Sequence, residues 1–221
     1  MKNFSYIYGF ILLLHLTALL MADFDWVLYV SKPALAGSLI VYYFLRILRK
    51  KPKSFDWTFT LGLLFCLIGD ILLMLEDLFL PGLVTFLVAQ IWYAISFFQS
   101  TQGRKGFVMK QKWLVIPFFL YGLGMVLTLE RYAPDFLPAI IAYSLFLLIM
   151  AMMAMNRFQA VQDQSFAYVG IGATLFVISD SILALDKFAN EIPYARFSIM
   201  LTYGLALYLM TYGMAQFREK G

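Results

Sequence analysis

About eight apolar stretches follow one another along this chain, each close to the ~20 residues a membrane-spanning helix needs, with only short polar turns between them. They fall at residues 4–22, 26–47, 57–75, 78–98, 113–129, 136–155, 166–186 and 194–217. Of 221 residues, 62% are apolar and 14% charged, where a soluble domain is nearer half apolar and a quarter charged. A water-soluble core of this size cannot hide that excess, so it must face lipid. The sequence therefore predicts an all-α polytopic membrane protein, a bundle of about eight transmembrane helices filling residues 1–221 as a single integral membrane domain.

The turns carry the orientation. With the N-terminus inside, the cytoplasmic ends collect Lys2, Arg46, Arg49, Lys50, Lys51, Lys53, Arg104, Lys105, Lys110, Lys112, Arg157, Arg218 and Lys220. The outer ends hold only Arg131, Lys187 and Arg196, and most of the acids. This asymmetry puts both termini in the cytoplasm. It also accounts for the net charge of +4 without a nucleic-acid partner. The first apolar run is read as a retained helix, not a cleaved signal, because no small-x-small site follows it and Asp23 and Asp25 come next. The single cysteine, Cys66, forms no disulfide within the chain and leaves the compartment undefined.

Two halves of the sequence echo each other. Gly62-x7-Asp70-x2-Leu73 recurs 110 residues later as Gly172-x7-Asp180-x2-Leu183, and Tyr93 recurs as Tyr203. Four helices per half is an even number, so true repeats would be parallel, related by an axis along the membrane normal. The alternative is chance in a strongly biased composition.

An ionised side chain at the centre of a bilayer costs ~2.5–3.5 kcal/mol or more. Three such residues, Lys32, Asp70 and Asp180, lie within predicted spans, all at a similar depth in the outer half. One reading is a structural ion pair between Lys32 and one aspartate, with the other aspartate reaching the outer interface. The other reading is a polar cavity opening outward. There, two carboxylates and one lysine leave excess negative charge, which favours a held proton, the condition a general acid needs. Gln90 either faces that cavity or bridges two helices. Tyr93 and Tyr203 order substrate or water, or simply pack. Ser31 and Ser179 are hydrogen-bond donors with neither a nucleophile elbow nor a histidine partner, which disfavours serine hydrolase chemistry. His15 stands alone without metal-ligand spacing, so no metal and no cofactor is expected. Lys32-Pro33 is expected to break helix 2 locally, since proline removes a backbone donor.

Gly69-Asp70-Ile71-Leu72-Leu73-Met74, together with Gly172-Ala173-Thr174-Leu175-Phe176 and the following Ser179-Asp180 and Leu183-Ala184, resembles the two signature segments of the YhhN-type lysoplasmalogenase family. Lys32-Pro33 is similar to that family's Lys-Pro element, and the likeness covers nearly the whole chain. Two positions depart from the pattern: Gln90 stands where the family has a histidine, and Leu207, in Ala206-Leu207, where it has a glutamine. The chain thus looks like a divergent member. The resemblance implies an integral protein of a bacterial inner membrane and a lysophospholipid substrate. The reaction would hydrolyse a lysoplasmalogen's vinyl ether to fatty aldehyde and glycerophosphoethanolamine or glycerophosphocholine. On this reading Asp70 and Asp180 are the catalytic acid and base, with Asp180 favoured as the acid. Lys32 holds one carboxylate ionised or binds the lipid phosphate. Gln90, Tyr93, Ser179 and Tyr203 complete the substrate site. A competing class is a small proton-coupled carrier or lipid-binding protein, which paired intramembrane acids also suit. A purely structural membrane protein is the third.

Overall fold

The structure, a computed structural model, describes residues 2–21, 24–49 and 57–220. Nine helices occur among them: α1 (Lys2–Ala18), α2 (Asp25–Arg49), α3 (Trp57–Leu72), α4 (Phe79–Ser100), α5 (Phe107–Lys110), α6 (Val115–Glu130), α7 (Leu137–Asn156), α8 (Asp163–Phe188) and α9 (Ala195–Lys220). Short 3-10 turns lead into α4, α6 and α7. Six helices (α2, α4, α6, α7, α8 and α9) are long and apolar enough to cross a membrane, while α1 and α3 are shorter apolar helices. The eight expected spans are therefore all helical, and the extra element is α5, a single turn in what read as a loop. Asp23 and the lysines at 50, 51 and 53 lie outside the described residues.

Lipid-facing surface is plainest on α6. It buries only Gly122 and Leu129, while Ile116, Phe119, Leu120, Leu123 and Leu127 are exposed. Such a face is stable only where the solvent is itself apolar. The protein is an integral membrane bundle.

Helix packing follows a two-fold plan. α1 packs on α2, α2 on both α3 and α9, and α3 on α4; correspondingly α6 packs on α7, α7 on both α8 and α4, and α8 on α9. The correspondence α1–α4 to α6–α9 is the one the 110-residue echo predicts, and its direction is parallel. It fails at one place, where α1 touches α9 but α6 touches α8. The two echoed glycines do the same work in each half. A Cβ on Gly62 would meet the Tyr93 ring at 2.5 Å, and one on Gly172 would meet Met210 at 2.7 Å and the Ala206 carbonyl at 2.9 Å. Each glycine lets its helix close directly on the next, the way small residues draw membrane helices together.

Three expectations change. α3 ends at Leu72 and not at residue 75, because Leu73 turns down onto α4 at Gly82 and the chain reverses at once. α2 runs unbroken through Pro33; the proline costs one backbone bond, and packing of α2 against α3 and α9 holds the helix together. Arg157, counted among the loop cations, is fully buried. Its guanidinium donates to Ser100 Oγ at 2.8 Å and to Ser165 Oγ at 2.8 Å, and lies over the Phe97 ring. It ties α4, α7 and α8 together from inside.

Candidate active site

Asp180 sits on α8, eight residues from its end at Phe188. Two side chains donate to the same carboxyl oxygen, Oδ2: Gln90 Nε2 from α4 at 3.0 Å and the Tyr143 hydroxyl from α7 at 2.6 Å. Its second oxygen accepts no hydrogen bond among the described residues. The carboxyl lines a cavity of about 380 Å³ enclosed by α4, α6, α7 and α8. Apart from Asp180, Tyr143, Tyr121, Ser144 and Ser181, the lining is apolar, with Leu83, Leu87, Met125 and Ile140 typical. Leu80, Val84 and Tyr121 belong to that lining and are also exposed at the surface. The cavity therefore opens sideways onto lipid between α4 and α6.

Asp70 sits on α3, directly after Gly69, and is 1% exposed. Its Oδ2 accepts from the Tyr203 hydroxyl of α9 at 2.9 Å, and its Oδ1 is buried with no partner. Lys32 of α2 acts on Asp70 electrostatically, with no direct ion pair between them among the described residues. Asp70 and Lys32 are not among the residues lining the cavity. The two acids do not touch. Cys66 is within electrostatic reach of both and shares a 3.5 Å contact with the Tyr93 hydroxyl.

Depth can be read from the shared helices. Along α4, Gly69 packs against Phe86 while Asp180 meets Gln90, which puts Asp180 about one turn, ~6 Å, further in. Along α9, Ser179 bonds the Ile199 carbonyl while Asp70 meets Tyr203, an offset of the same size in the opposite sense. The two readings run in opposite senses, so neither acid stands more than about one turn deeper than the other.

The surroundings repeat as well as the acids. Each aspartate takes one neutral donor from the opposite half, Tyr203 for Asp70 and Gln90 for Asp180. Each also faces a group from its own half's second helix, Lys32 on α2 or Tyr143 on α7. The chemistry differs at that last position: one acid faces a cation, the other only neutral donors. An acid with neutral partners and one unoccupied oxygen on a cavity can hold and deliver a proton. An acid beside a lysine serves as a fixed negative charge.

Of the residues singled out from sequence, the structure puts Asp180 on the cavity, with Gln90 bonded to it but outside the lining. It groups Asp70, Tyr203 and Lys32 behind them. Ser179 turns its hydroxyl onto the Ile199 carbonyl at 3.1 Å, so it holds α8 to α9 and does not face the site. The Tyr93 ring packs in the core against Phe59 and Phe97. His15 is buried and shares a 2.7 Å hydrogen bond with Ser31, an interhelical link between α1 and α2. Sequence reasoning missed Tyr143, Tyr121 and Ser181. The echo contained a signal for the first: Tyr143 falls 110 residues after Pro33, beside the position that matches Lys32.

Comparison with known proteins places the chain among named relatives. The chain is 34% identical over 152 residues to human lysoplasmalogenase TMEM86B, covering 68% of this chain and 60% of that protein. It is 32% identical over 164 residues to bovine lysoplasmalogenase TMEM86A, covering 72% of this chain and 65% of that protein. The match to pig lysoplasmalogenase TMEM86B is 32% over 156 residues, covering 70% and 62%. The matched stretches thus take in somewhat under two thirds of these relatives' length. No solved structure matches the chain. The YhhN family model matches residues 27–214, a span holding Lys32, both aspartates and every donor to them, so the chain belongs to the YhhN family.

Proposed function

We propose that this protein is a membrane hydrolase that cleaves the vinyl ether bond of lysoplasmalogen-type lysophospholipids. The observation that carries the proposal is a carboxyl with one unoccupied oxygen at the inner end of an apolar cavity that opens to lipid. A single-chain lipid reaches such a cavity from the bilayer without passing through water. The names of the relatives support the same substrate class.

The reaction needs a proton on carbon, a stabilised cation and a water. Asp180 delivers its proton to the vinyl carbon remote from oxygen, converting the enol ether to an oxocarbenium ion. The buried negative charge of Asp70, kept by Lys32, stabilises that cation. Water adds to the carbon bonded to oxygen, and Asp180, now a carboxylate, takes the proton that this water loses. The hemiacetal formed breaks its carbon–oxygen bond to give aldehyde and the glycerol hydroxyl, with no net change in Asp180. Asp70 is thus a charge set behind the reacting atoms, not a base in contact with them. That differs from a symmetrical acid/base pair and follows from its place outside the cavity.

The sorted loop cations support an orientation with both termini in the cytoplasm, which turns the Phe79–Phe188 end of the cavity outward. The test is mass spectrometry of alkenyl lysolipid incubated with purified protein in detergent. Free fatty aldehyde, absent with D180N, supports hydrolysis. Movement of intact lysolipid across sealed vesicles without aldehyde release assigns the protein to the carrier class instead.

A further inference from the structure

The site described so far accounts for the bond that is cut but not for how the rest of the lipid lies. A second cavity of about 270 Å³ continues from the first along α6, α7 and α8. Tyr121 and Leu148 line both. All three helices agree on its direction: it runs from the level of Asp180 toward the opposite side of the membrane, down to Met155 on α7 and Gly170 on α8. Ten residues of α8 separate Gly170 from Asp180, a rise of about 15 Å. At roughly 1.2 Å per bond of extended chain, that is room for about a dozen carbons. Its lining is almost wholly apolar, with Thr174 engaged by the Gly170 carbonyl of its own helix.

The other end of the first cavity is different. Phe79, Phe136 and Phe188 gather there, with ring centroids 5.9 Å apart for Phe79–Phe188 and 5.4 Å for Phe136–Phe188. Over the Phe79 ring, 4.7 Å from its centroid, lies the ammonium of Lys187. Lys187 follows Asp180 by seven residues, so it stands on the same face of α8 two turns further out, about 10 Å away. In a lysophospholipid the phosphorus is five bonds from the ether oxygen, about 6 Å in an extended chain. The remaining distance is within reach of the long lysine stem.

We propose that the lysolipid binds along α8 in one register, with its phosphate at Lys187, its vinyl ether at Asp180 and its hydrocarbon tail in the inner cavity beyond Tyr121. This register rests on the reading of the outer cavity as the reaction chamber. Two consequences follow. Lys187, not Lys32, recognises the phosphate, and the depth of the inner cavity sets the chain length accepted. Lys32 faces Asp70, whereas Lys187, though it lines neither cavity itself, stands over Phe79, which lines the outer one.

The test compares substrate pairs on the full-length protein in detergent. T174F fills the inner cavity from its exposed rim, where folding is least at risk. It should shift the preference between C14 and C8 alkenyl glycerophosphoethanolamine toward the short chain by about tenfold or more, as expected when several methylenes lose their place. K187Q should shift the preference between alkenyl glycerophosphoethanolamine and phosphate-free alkenylglycerol toward the latter, through KM. Unchanged ratios in both variants, with wild-type turnover intact, overturn the register while leaving the hydrolase assignment standing. If the wild type releases no aldehyde, that assignment fails, and saturated alkyl-ether lysolipids then test the register by thermal shift. Stabilisation by the C14 ether that T174F abolishes upholds it, and equal stabilisation of both proteins overturns it.

Discussion

Replacing Asp180 with asparagine separates chemistry from structure more cleanly here than at most buried acids. Both donors to the carboxyl converge on Oδ2, at 3.0 Å from Gln90 and 2.6 Å from Tyr143. An asparagine that places its carbonyl oxygen there keeps both bonds. Its amide nitrogen then takes the position of the oxygen that faces the cavity, where it strands no donor in the protein. The cost in stability is therefore small, within about 1 kcal/mol, the net worth of one ordinary hydrogen bond. The amide cannot give a proton to carbon, so turnover should fall by ~10²–10⁴-fold, or ~3–5 kcal/mol of barrier at ~1.4 kcal/mol per decade. Asp70→Asn is the contrasting case. It should also abolish most turnover, but it removes the charge facing Lys32 and so destabilises the fold as well. The assay pairs aldehyde release with thermal unfolding of each purified variant. D180N that folds, binds lysolipid and keeps more than about a tenth of wild-type turnover lies well outside the expected range and refutes Asp180 as the acid.

Tyr143→Phe removes the shorter of the two donors and should cost about ten- to a hundredfold in turnover, from the ~1.5–3 kcal/mol of a bond to a charged group; loss of less than twofold would show that Gln90 alone suffices. Lys32→Met leaves the buried Asp70 charge uncompensated and should lower stability, by less than the ~3–5 kcal/mol of a fully buried contact pair because the two are not in direct contact. Adding D70N to K32M should restore part of that loss, and no recovery would mean that the two charges do not interact. Gly172→Leu drives a side chain into the Ala206 carbonyl and Met210, so it should destabilise by ~1–3 kcal/mol or prevent folding; a melting temperature equal to the wild type's contradicts the α8–α9 contact. The wild-type rate should be bell-shaped in pH, reporting the two acids as a macroscopic pair. A single-sided profile would show that only one of them must hold a defined protonation state.

The architecture was legible because lipid imposes it. Twenty-residue apolar runs have one way to satisfy their backbones in a bilayer, and the charged turns between them mark where each must end. The two aspartates were legible for the complementary reason, since a carboxyl among such residues is costly unless it is paired or used. What stayed hidden was the division of labour. Tyr143 is one of fourteen tyrosines, and nothing in its neighbours marks it as the donor to Asp180. Ser179 is adjacent to that acid in sequence, yet successive helical residues point about 100° apart and its hydroxyl reaches α9. Asp70 matched Asp180 in spacing, but the cavity on one side of it depends on α6 and α7, whose inward faces were not distinguishable by composition. The unbroken course of α2 through Pro33 was hidden too, because it depends on neighbours remote in sequence.

The exchange of donors between halves bears on how such a protein can have arisen. A polypeptide of four helices would have carried its own acid but not the neutral donor that acid needs, which comes here from the opposite half. A protein of that length would need a second copy to supply the donor, as a homodimer with two identical carboxyls related by its symmetry axis. Identical sites have the same intrinsic proton affinity, so the sequence could not dictate which carboxyl holds the proton. Fusing two such halves removes that constraint by giving each acid a separately mutable neighbour. A lysine on the second helix of one half and a tyrosine one residue past its counterpart in the other, forbidden to a symmetric dimer, require that one gene encode both halves.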